Sequence, residues 1–184
     1  MASSYYPLSL HLGVQGWSKF IRRKYDSNFR SFALKVHRRD QYRCQYCGFQ
    51  SGVHMEVVNL NNDYDGEEVS MANLITACPF CTQCLFMAMV GKIDYGGGKL
   101  IYLPHLSQSR LNALCHVMYA SIHQDSDYKS ESQNLINLLR LRSNYVEDHV
   151  GKGLSEPALM AQMLIDTPIK NKEQVEASLL KDLR

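Results

Sequence analysis

Five of the six cysteines fall between residues 44 and 84, as Cys44-Gln-Tyr-Cys47 and Cys78-Pro-Phe-Cys81-Thr-Gln-Cys84. Thiols at i and i+3 on a tight turn direct both sulfurs at one point, and soft thiolates favour zinc over magnesium or calcium. Two such pairs, with thirty residues between Cys47 and Cys78, suffice to close a tetrahedral four-sulfur site. A site of that kind has no open coordination position, so it offers structural zinc and no Lewis acid. Cys44 and Cys47 form the first ligand pair. Cys78 and Cys81 are the preferred second pair, Cys84 could replace either, and Cys115 reads as a core residue of its helix. Buried free thiols are the plain alternative. A redox dithiol of Cys81 and Cys84 is disfavoured, because zinc-bound thiolates are poorly available for exchange.

Hydrolysis of a phosphodiester would require a base to activate water and a set of imidazoles or carboxylates to hold a divalent ion. His54 is the only histidine between the two thiol turns, and it sits where a base would be poorly fixed. Asn59 cannot act as a base, and Glu56 and Asp63 are scattered carboxylates. The acidic turn Asn61–Gly66 lacks the later ligands of a calcium loop. Tyr95-Gly-Gly-Gly98 has no Gly-Lys-Ser/Thr ending and reads as a bend, not a phosphate cradle.

The elements that must position these groups follow from periodicity. Tyr6, Leu8, Leu10, Leu12 and Val14 alternate, which predicts a short strand over residues 3–14, with a break at Gly16. Trp17 to Arg39 is helical, with a polar kink at Asp26-Ser27-Asn28 and Asn28 or Ser31 as the cap of its second half. Met55–Leu60 is the return strand of a hairpin, Ser70 caps a short turn before Leu74, and Leu85, Phe86, Met87 and Met89 should pack on the metal site and the earlier helix. Lys99–Leu103 reads as a strand ended by Pro104. Helices follow over residues 106–122, from Ser130 (capped with Gln133) to Val150, from Ser155-Glu-Pro157 to Ile165, and from Asn171 (with Gln174) onward.

At 184 residues, 45% apolar and a formal charge of +2, the chain can bury a core, and its net charge alone names no partner. The basic residues concentrate in Lys19, Arg22, Arg23, Lys24, Arg30, Lys35, Arg38 and Arg39. A solvated or salt-bridged helix face, a docking surface for an acidic protein and a nucleic-acid surface all fit that run, in decreasing order. Clustered cysteines suit a reducing compartment. The first residues lack the pattern of a signal peptide, and no stretch reaches eighteen uncharged apolar residues. The cytoplasm is therefore the expected compartment.

Residues 29–48, Phe29-Arg-Ser-Phe-Ala-Leu-Lys-Val-His-Arg-Arg-Asp40-Gln-Tyr-Arg-Cys44-Gln-Tyr-Cys47-Gly48, resemble the helix and first zinc turn of the HNH endonucleases. Asn73-Leu74 followed by Cys78 and Cys81 resembles that family's central asparagine and second zinc turn. The resemblance implies one catalytic histidine on the strand Met55–Leu60, where Glu56 or Asn59 stands depending on register, and another after the last zinc cysteine, where Thr82 stands. Both imidazoles are missing at the matching places, so the expectation is a protein that is not an enzyme.

A closer resemblance covers nearly the whole chain. Cys44-Gln-Tyr-Cys-Gly-Phe-Gln50, Val58-Asn-Leu60, Asn73-Leu-Ile-Thr-Ala-Cys78, Phe80-Cys-Thr-Gln-Cys84, Tyr95-Gly-Gly-Gly98, Leu100-Ile-Tyr-Leu-Pro104, Leu114-Cys-His-Val117 and Tyr128-Lys-Ser130 are similar to the DotN (IcmJ) family of the Dot/Icm type IVB secretion system. That family implies a catalytically silent, HNH-like zinc protein of the cytoplasmic coupling complex. It would bind the C-terminal extension of the DotL coupling ATPase, beside DotM and the IcmS–IcmW adaptors, and help to recruit effectors for export.

The expected architecture is α+β: a small HNH-like ββα zinc-binding nucleus with short strands, embedded in and followed by several packed helices. One domain is expected over residues 1–184, with the nucleus at about 29–90 and a helical part at about 105–184. The expected cofactor is one structural zinc held by Cys44, Cys47, Cys78 and Cys81. The expected partner is a DotL-like ATPase segment, with DotM-like and IcmS/IcmW-like subunits nearby and Arg22, Arg23 and Arg30 as contacts. Nucleic acid and direct membrane insertion are not expected, and the place is the bacterial cytoplasm, peripheral to the inner membrane through partners. The alternative is an HNH-type metal-dependent nuclease or a nucleic-acid-binding protein, with His54 as its base.

Overall fold

The computed structural model describes residues 5–64, 70–92, 94–168, 170 and 172–184, the side chains of Lys172 and Glu173 excepted. It is α+β, mostly helical, and among the described residues its one sheet has two strands. The chain divides into two compact units, Met1–Met89 and Val90–Arg184.

The first unit opens on a strap, not a strand. Leu8 and Leu10 are half-buried around exposed Ser9, but the alternation ends there: His11, Leu12 and Gly13 are all half-buried, and Tyr6 and Val14 are exposed. The backbone bonds also scatter: Tyr6 N donates to Gln45 O (2.9 Å), His11 N to Cys84 O (2.8 Å), and Met87 N and Ala88 N donate back to His11 O and Leu12 O (3.0 and 3.1 Å). No single neighbour runs alongside to make a ladder. The chain then turns at Gly13, which is left-handed at φ 68, and enters helix α1, Val14–Tyr25. The break expected at Gly16 lies three residues earlier. Gly16 is a helical residue whose missing side chain lets the Tyr64 ring approach; a Cβ there would sit 2.4 Å from Tyr64 Cδ2.

Asp26 separates α1 from α2, Ser27–Arg39, and is the cap in place of Asn28 or Ser31. Its carboxylate accepts from Asn28 N (2.8 Å) and Phe29 N (3.4 Å), where orphan amides and the helix dipole both favour an anion. Phe20 of α1 stacks on Phe86 (4.6 Å between centroids), with Trp17 and Tyr64 closing around Phe86 at 5.4 Å each. Val36 of α2 packs with Val57 and Leu74 in a second cluster that Phe29, Phe32, Ala33 and Met71 cover.

Strands β1, Glu56–Asn59, and β2, Leu74–Ala77, pair antiparallel, Val57 opposite Thr76 and Val58 opposite Ile75. Helix α3, Pro79–Leu85, starts directly after β2 with Pro79 in its first turn, where no amide partner is required. A 3₁₀ turn, Met87–Met89, ends the unit. The acidic turn after Asn61 falls partly outside the described residues.

In the second unit the expected strand Lys99–Leu103 is an extended segment with one isolated bridge, Tyr102 to Leu183. Ile101 and Arg184 exchange both backbone bonds (2.9 Å each) and Leu103 N donates to Asp182 O (3.0 Å), a pairing too short for a strand. Helix α4, Gln108–His123, is capped by Ser107 Oγ and packs beside α5, Lys129–Leu141. The long helix expected from Ser130 to Val150 divides at Arg142 into α5 and α6, Ser143–His149, and Tyr128, with no side-chain cap bond, takes the cap position assigned to Ser130. Arg142 Nε donates to Tyr102 O (2.7 Å) and Ser143 Oγ to Arg140 O (2.7 Å), which fixes the break. Gly151 and Gly153 stop α6 as expected, and the Glu147 carboxylate gathers the turn by accepting from Gly153 N (2.6 Å) and Ser155 N (3.1 Å). Helices α7, Pro157–Asp166, and α8, Lys172–Leu180, complete the unit. Asn171, the expected cap of α8, lies outside the described residues. Met160, Ala161, Leu164, Val146 and Leu111 are among its buried core side chains. Among the described residues no helix is long and apolar enough to cross a membrane.

Candidate metal centre

The first knuckle leaves α2 through Gln41 and Tyr42, both left-handed (φ 56 and 54), and turns through Cys44–Gly48. Cys44 N donates to Phe49 O (2.7 Å) and Gly48 N to Cys44 O (3.0 Å), so the loop is closed at both ends. Gly48 has φ 81, and a Cβ there would meet the Tyr5 hydroxyl at 2.5 Å. Gln45 N donates to Thr76 O (2.8 Å), which ties this knuckle to β2. The second knuckle is the N-terminus of α3, with Cys78 as its cap residue and Cys81 one turn in, on the buried side.

These two elements bring Cys44, Cys47, Cys78 and Cys81 together, their sulfurs all within 4.8 Å of one another. Cys47 Sγ and Cys78 Sγ lie 3.6 Å apart. Zinc–sulfur bonds of about 2.3 Å in a tetrahedron set sulfurs about 3.8 Å apart, so the donor set fits a metal ion of that kind. Three of the four are buried and Cys47 is half-buried; none is in a disulfide. Cys84 is outside the group, and its thiol donates to Phe80 O (3.3 Å).

Thiols this close cannot all ionise unaided. Hydrogen bonds to Cys44 and Cys47 push the Cys81 thiol far above its ordinary range, with Cys78 adding to the push, and the first two push Cys78 up as well. Cys44 is driven up by Cys47, yet the opposing hydrogen bonds to Cys78 and Cys81 leave it lowered. A divalent cation at the centre of the cluster is what would allow four thiolates.

Glu56, Asn59 and Thr82, at the places matched to the catalytic histidines, each have an internal partner. Glu56 is ion-paired with Lys24 of α1. Asn59 Oδ1 accepts from Arg23 Nη1 (2.7 Å) and its Nδ2 donates to Asp63 O. Thr82 is fully buried and its hydroxyl donates to Cys78 O (3.1 Å). His54 is exposed, left-handed at φ 59, in the loop before β1. Asn73 has a bracing role: Asn61 N donates to its Oδ1 (3.1 Å) and its Nδ2 donates to Asn61 Oδ1 (2.9 Å).

Of the arginines singled out for partner contact, Arg22 and Arg30 are exposed, and Arg23 is turned inward. Arg23 Nη2 also donates to Val57 O (2.8 Å), and its guanidinium lies over the Phe29 and Tyr64 rings at 4.6 and 4.9 Å. Arg39 makes a second tie, from α2, donating to Met71 O and Leu74 O (2.6 Å each) while Asp40 accepts from Thr76 N (2.8 Å). Periodicity held a signal for Arg23, which lies seven residues after buried Gly16 and three after buried Phe20, on one helix face. Arg39 pairs locally with Asp40, but nothing local marked its bonds to Met71 O and Leu74 O, 32 and 35 residues away.

No protein-family model matches the chain. It is 45% identical over 177 residues to the type 4 apparatus protein DotN of Legionella pneumophila (strain Philadelphia 1), across 96% of this chain and 81% of that protein.

Proposed function

Since the chain belongs to the DotN family of Dot/Icm type IV apparatus proteins, we propose that it is a non-catalytic, zinc-stapled adaptor of a type IVB secretion coupling complex. Its task is to bind the C-terminal extension of a DotL-like coupling ATPase, next to DotM-like and IcmS/IcmW-like subunits, and so to support effector recruitment. The place of action is the cytoplasmic face of the inner membrane, reached through those partners.

The observation that carries the non-catalytic reading is the engagement of Glu56, Asn59 and Thr82 by Lys24, Arg23 and the Cys78 carbonyl. A general base needs a lone pair aimed at water: Asn59 and Thr82 are committed to internal bonds, and Glu56, paired with Lys24 through Oε1, has its Oε2 buried away from solvent. The order β1, β2, α3 around the thiols supports an HNH-like ββα nucleus whose catalytic positions have become struts. Cys44, Cys47, Cys78 and Cys81 would hold one zinc ion, which when bound contributes folding energy to two short strands and two turns that could not close a core alone. The basic helices α1 and α2, with Arg22 and Arg30 outward, offer the surface for an acidic segment of the ATPase.

The test is a pull-down from the native bacterium with metal measured on the same sample. Recovery of a coupling ATPase with one zinc per chain is the expected result. Nucleic-acid enzymes in place of that ATPase, or magnesium- or manganese-dependent plasmid cleavage lost in His54→Ala, would overturn the proposal in favour of a nuclease.

A further inference from the structure

Helix α2 buries one side and leaves the other open. Val36, with Phe29, Phe32 and Ala33 beside it, packs on Val57 and Leu74. At 3.6 residues per turn the opposite side is the row Ser27, Ser31, Leu34 and Arg38, with Arg30 along one edge and Lys35 along the other. All six are exposed, Leu34 by 43%. The three cations on this side have no counter-charge. Neither α1 nor α2 contains an acidic residue, and Asp26 between them accepts from the amides of Asn28 and Phe29. Lys24 and Arg39 are ion-paired with Glu56 and Asp40. The side chains of Arg30, Lys35 and Arg38, by contrast, make no hydrogen bond or ion pair among the described residues.

Helix stability does not explain these cations. Arg30 stands in the first turn, where the helix dipole disfavours positive charge. Lys35 sits three residues before Arg38 and four before Arg39, spacings at which like charges repel. A face kept for solubility alone interleaves both signs. An apolar centre with a charged rim is instead the layout of an interface, and this rim calls for carboxylates. Arg30 and Arg38 lie eight residues apart, about 12 Å along the axis, with Leu34 midway. The middle of a helix offers no unpaired backbone group to an extended chain, so a segment docking here must satisfy its own backbone, as a helix does. We infer that the outward side of α2 docks an acidic amphipathic helix of the partner ATPase, a role that rests on the adaptor function proposed above. An apolar residue of that helix covers Leu34, carboxylates one turn to either side of it meet Arg30 and Arg38, and Lys35 holds a third beside the leucine.

The probe is the C-terminal extension of the bacterium's DotL-like ATPase, titrated by calorimetry into the zinc-loaded full chain. Leu34→Ala should weaken binding about tenfold and Leu34→Asp about a hundredfold. Lys35→Glu with Arg38→Glu should weaken it about a hundredfold and flatten its salt dependence, with zinc content and circular dichroism unchanged. Lys152→Glu, at an exposed position of the second unit, should bind as the wild type does. In the native bacterium, a photo-cross-linking amino acid in place of Leu34 should join a peptide of that extension in which an apolar residue has acidic residues three or four positions away on both sides. An extension that binds the wild type and all these variants alike overturns this docking and leaves the adaptor function standing. An extension that does not bind the wild type overturns both. A cross-link to nucleic acid, to lipid or to a peptide without flanking carboxylates overturns the acidic helix.

Discussion

Arg23 of α1 donates through both terminal nitrogens to β1, to the Asn59 side chain at 2.7 Å and to the Val57 carbonyl at 2.8 Å. A cation is thereby fixed on the strand that leads away from the first thiol knuckle, walled by the Phe29 and Tyr64 rings. Burial pulls the pKa of this guanidinium down from its usual value, with Tyr64 opposing, and an amide and a carbonyl oxygen take up its two terminal nitrogens. Arg23 is an internal strut where its neighbour Arg22 faces solvent.

Arg23→Ala should therefore lower unfolding stability by about 3 kcal/mol, from two lost charge-assisted hydrogen bonds, two abandoned acceptors and the ring contacts. Arg22→Ala should leave the urea midpoint near that of the wild type. Equal midpoints for the two variants would show that Arg23 carries no such load.

Metal removal tests the thiol cluster. One zinc per chain is expected by elemental analysis, and a strong chelator should unfold the first unit, since apparent binding energies of structural zinc reach about 10–16 kcal/mol. Cys81→Ser should abolish stoichiometric zinc, whereas Cys84→Ser should retain it, because Cys84 donates to Phe80 O and stands outside the four-sulfur group. Zinc lost from Cys84→Ser and kept in Cys81→Ser would reverse the assignment of the second pair.

The thiol spacing and the breaks at Asp26 and Gly151–Gly153 were legible because the information is local: a turn, a cap, a left-handed residue. The return strand was legible from its apolar run at Val57 and Val58. Ser3–Val14 and Lys99–Leu103 misled because an apolar pattern reports burial and says nothing about a partner strand. The backbone at His11 and Leu12 bonds to Cys84, Met87 and Ala88, outside any strand, and Ile101 pairs with the short stretch ending at Arg184. Gly16 looked like a punctuation mark and is a contact, made by Tyr64 from 48 positions away. Arg23 and Arg39 were hidden among basic residues of the same run, since their distant acceptors are backbone oxygens and the Asn59 amide, which no side-chain pattern announces.

His37 gives a pH prediction with a definite sign. Burial lowers its pKa from 6.5, against the pull of Asp40, and its Nδ1 is 3.0 Å from Thr76 Oγ1 on β2. The unfolded chain takes up the proton first, so the stability this ring contributes is complete above pH 6.5. It is lost as pH falls from 6.5 towards the depressed folded value, and is constant below that. Titration of the ring by NMR should give a midpoint below 6.5, and the stability difference between wild type and His37→Gln should shrink over that window. A midpoint above 6.5 would reverse the sign.

The partner surface is best probed with Arg23 left in place. Eight basic residues lie between Lys19 and Arg39, but Arg23, Lys24 and Arg39 are drawn into bonds with β1, Glu56, Asp40 and the turn before β2. Reversing Arg23 together with Arg22 and Arg30 would confuse unfolding with lost recognition. The informative variant is Arg22→Glu with Arg30→Glu, both at exposed positions. If an acidic segment of the coupling ATPase docks there, its affinity should fall by about ten- to a hundredfold. The decline should come mainly through the association rate, and the dependence on ionic strength should flatten as two cations leave the interface. Zinc content and melting temperature should not move. Unchanged affinity and an unchanged salt slope would remove the basic face from the interface and leave the ATPase segment to an apolar surface.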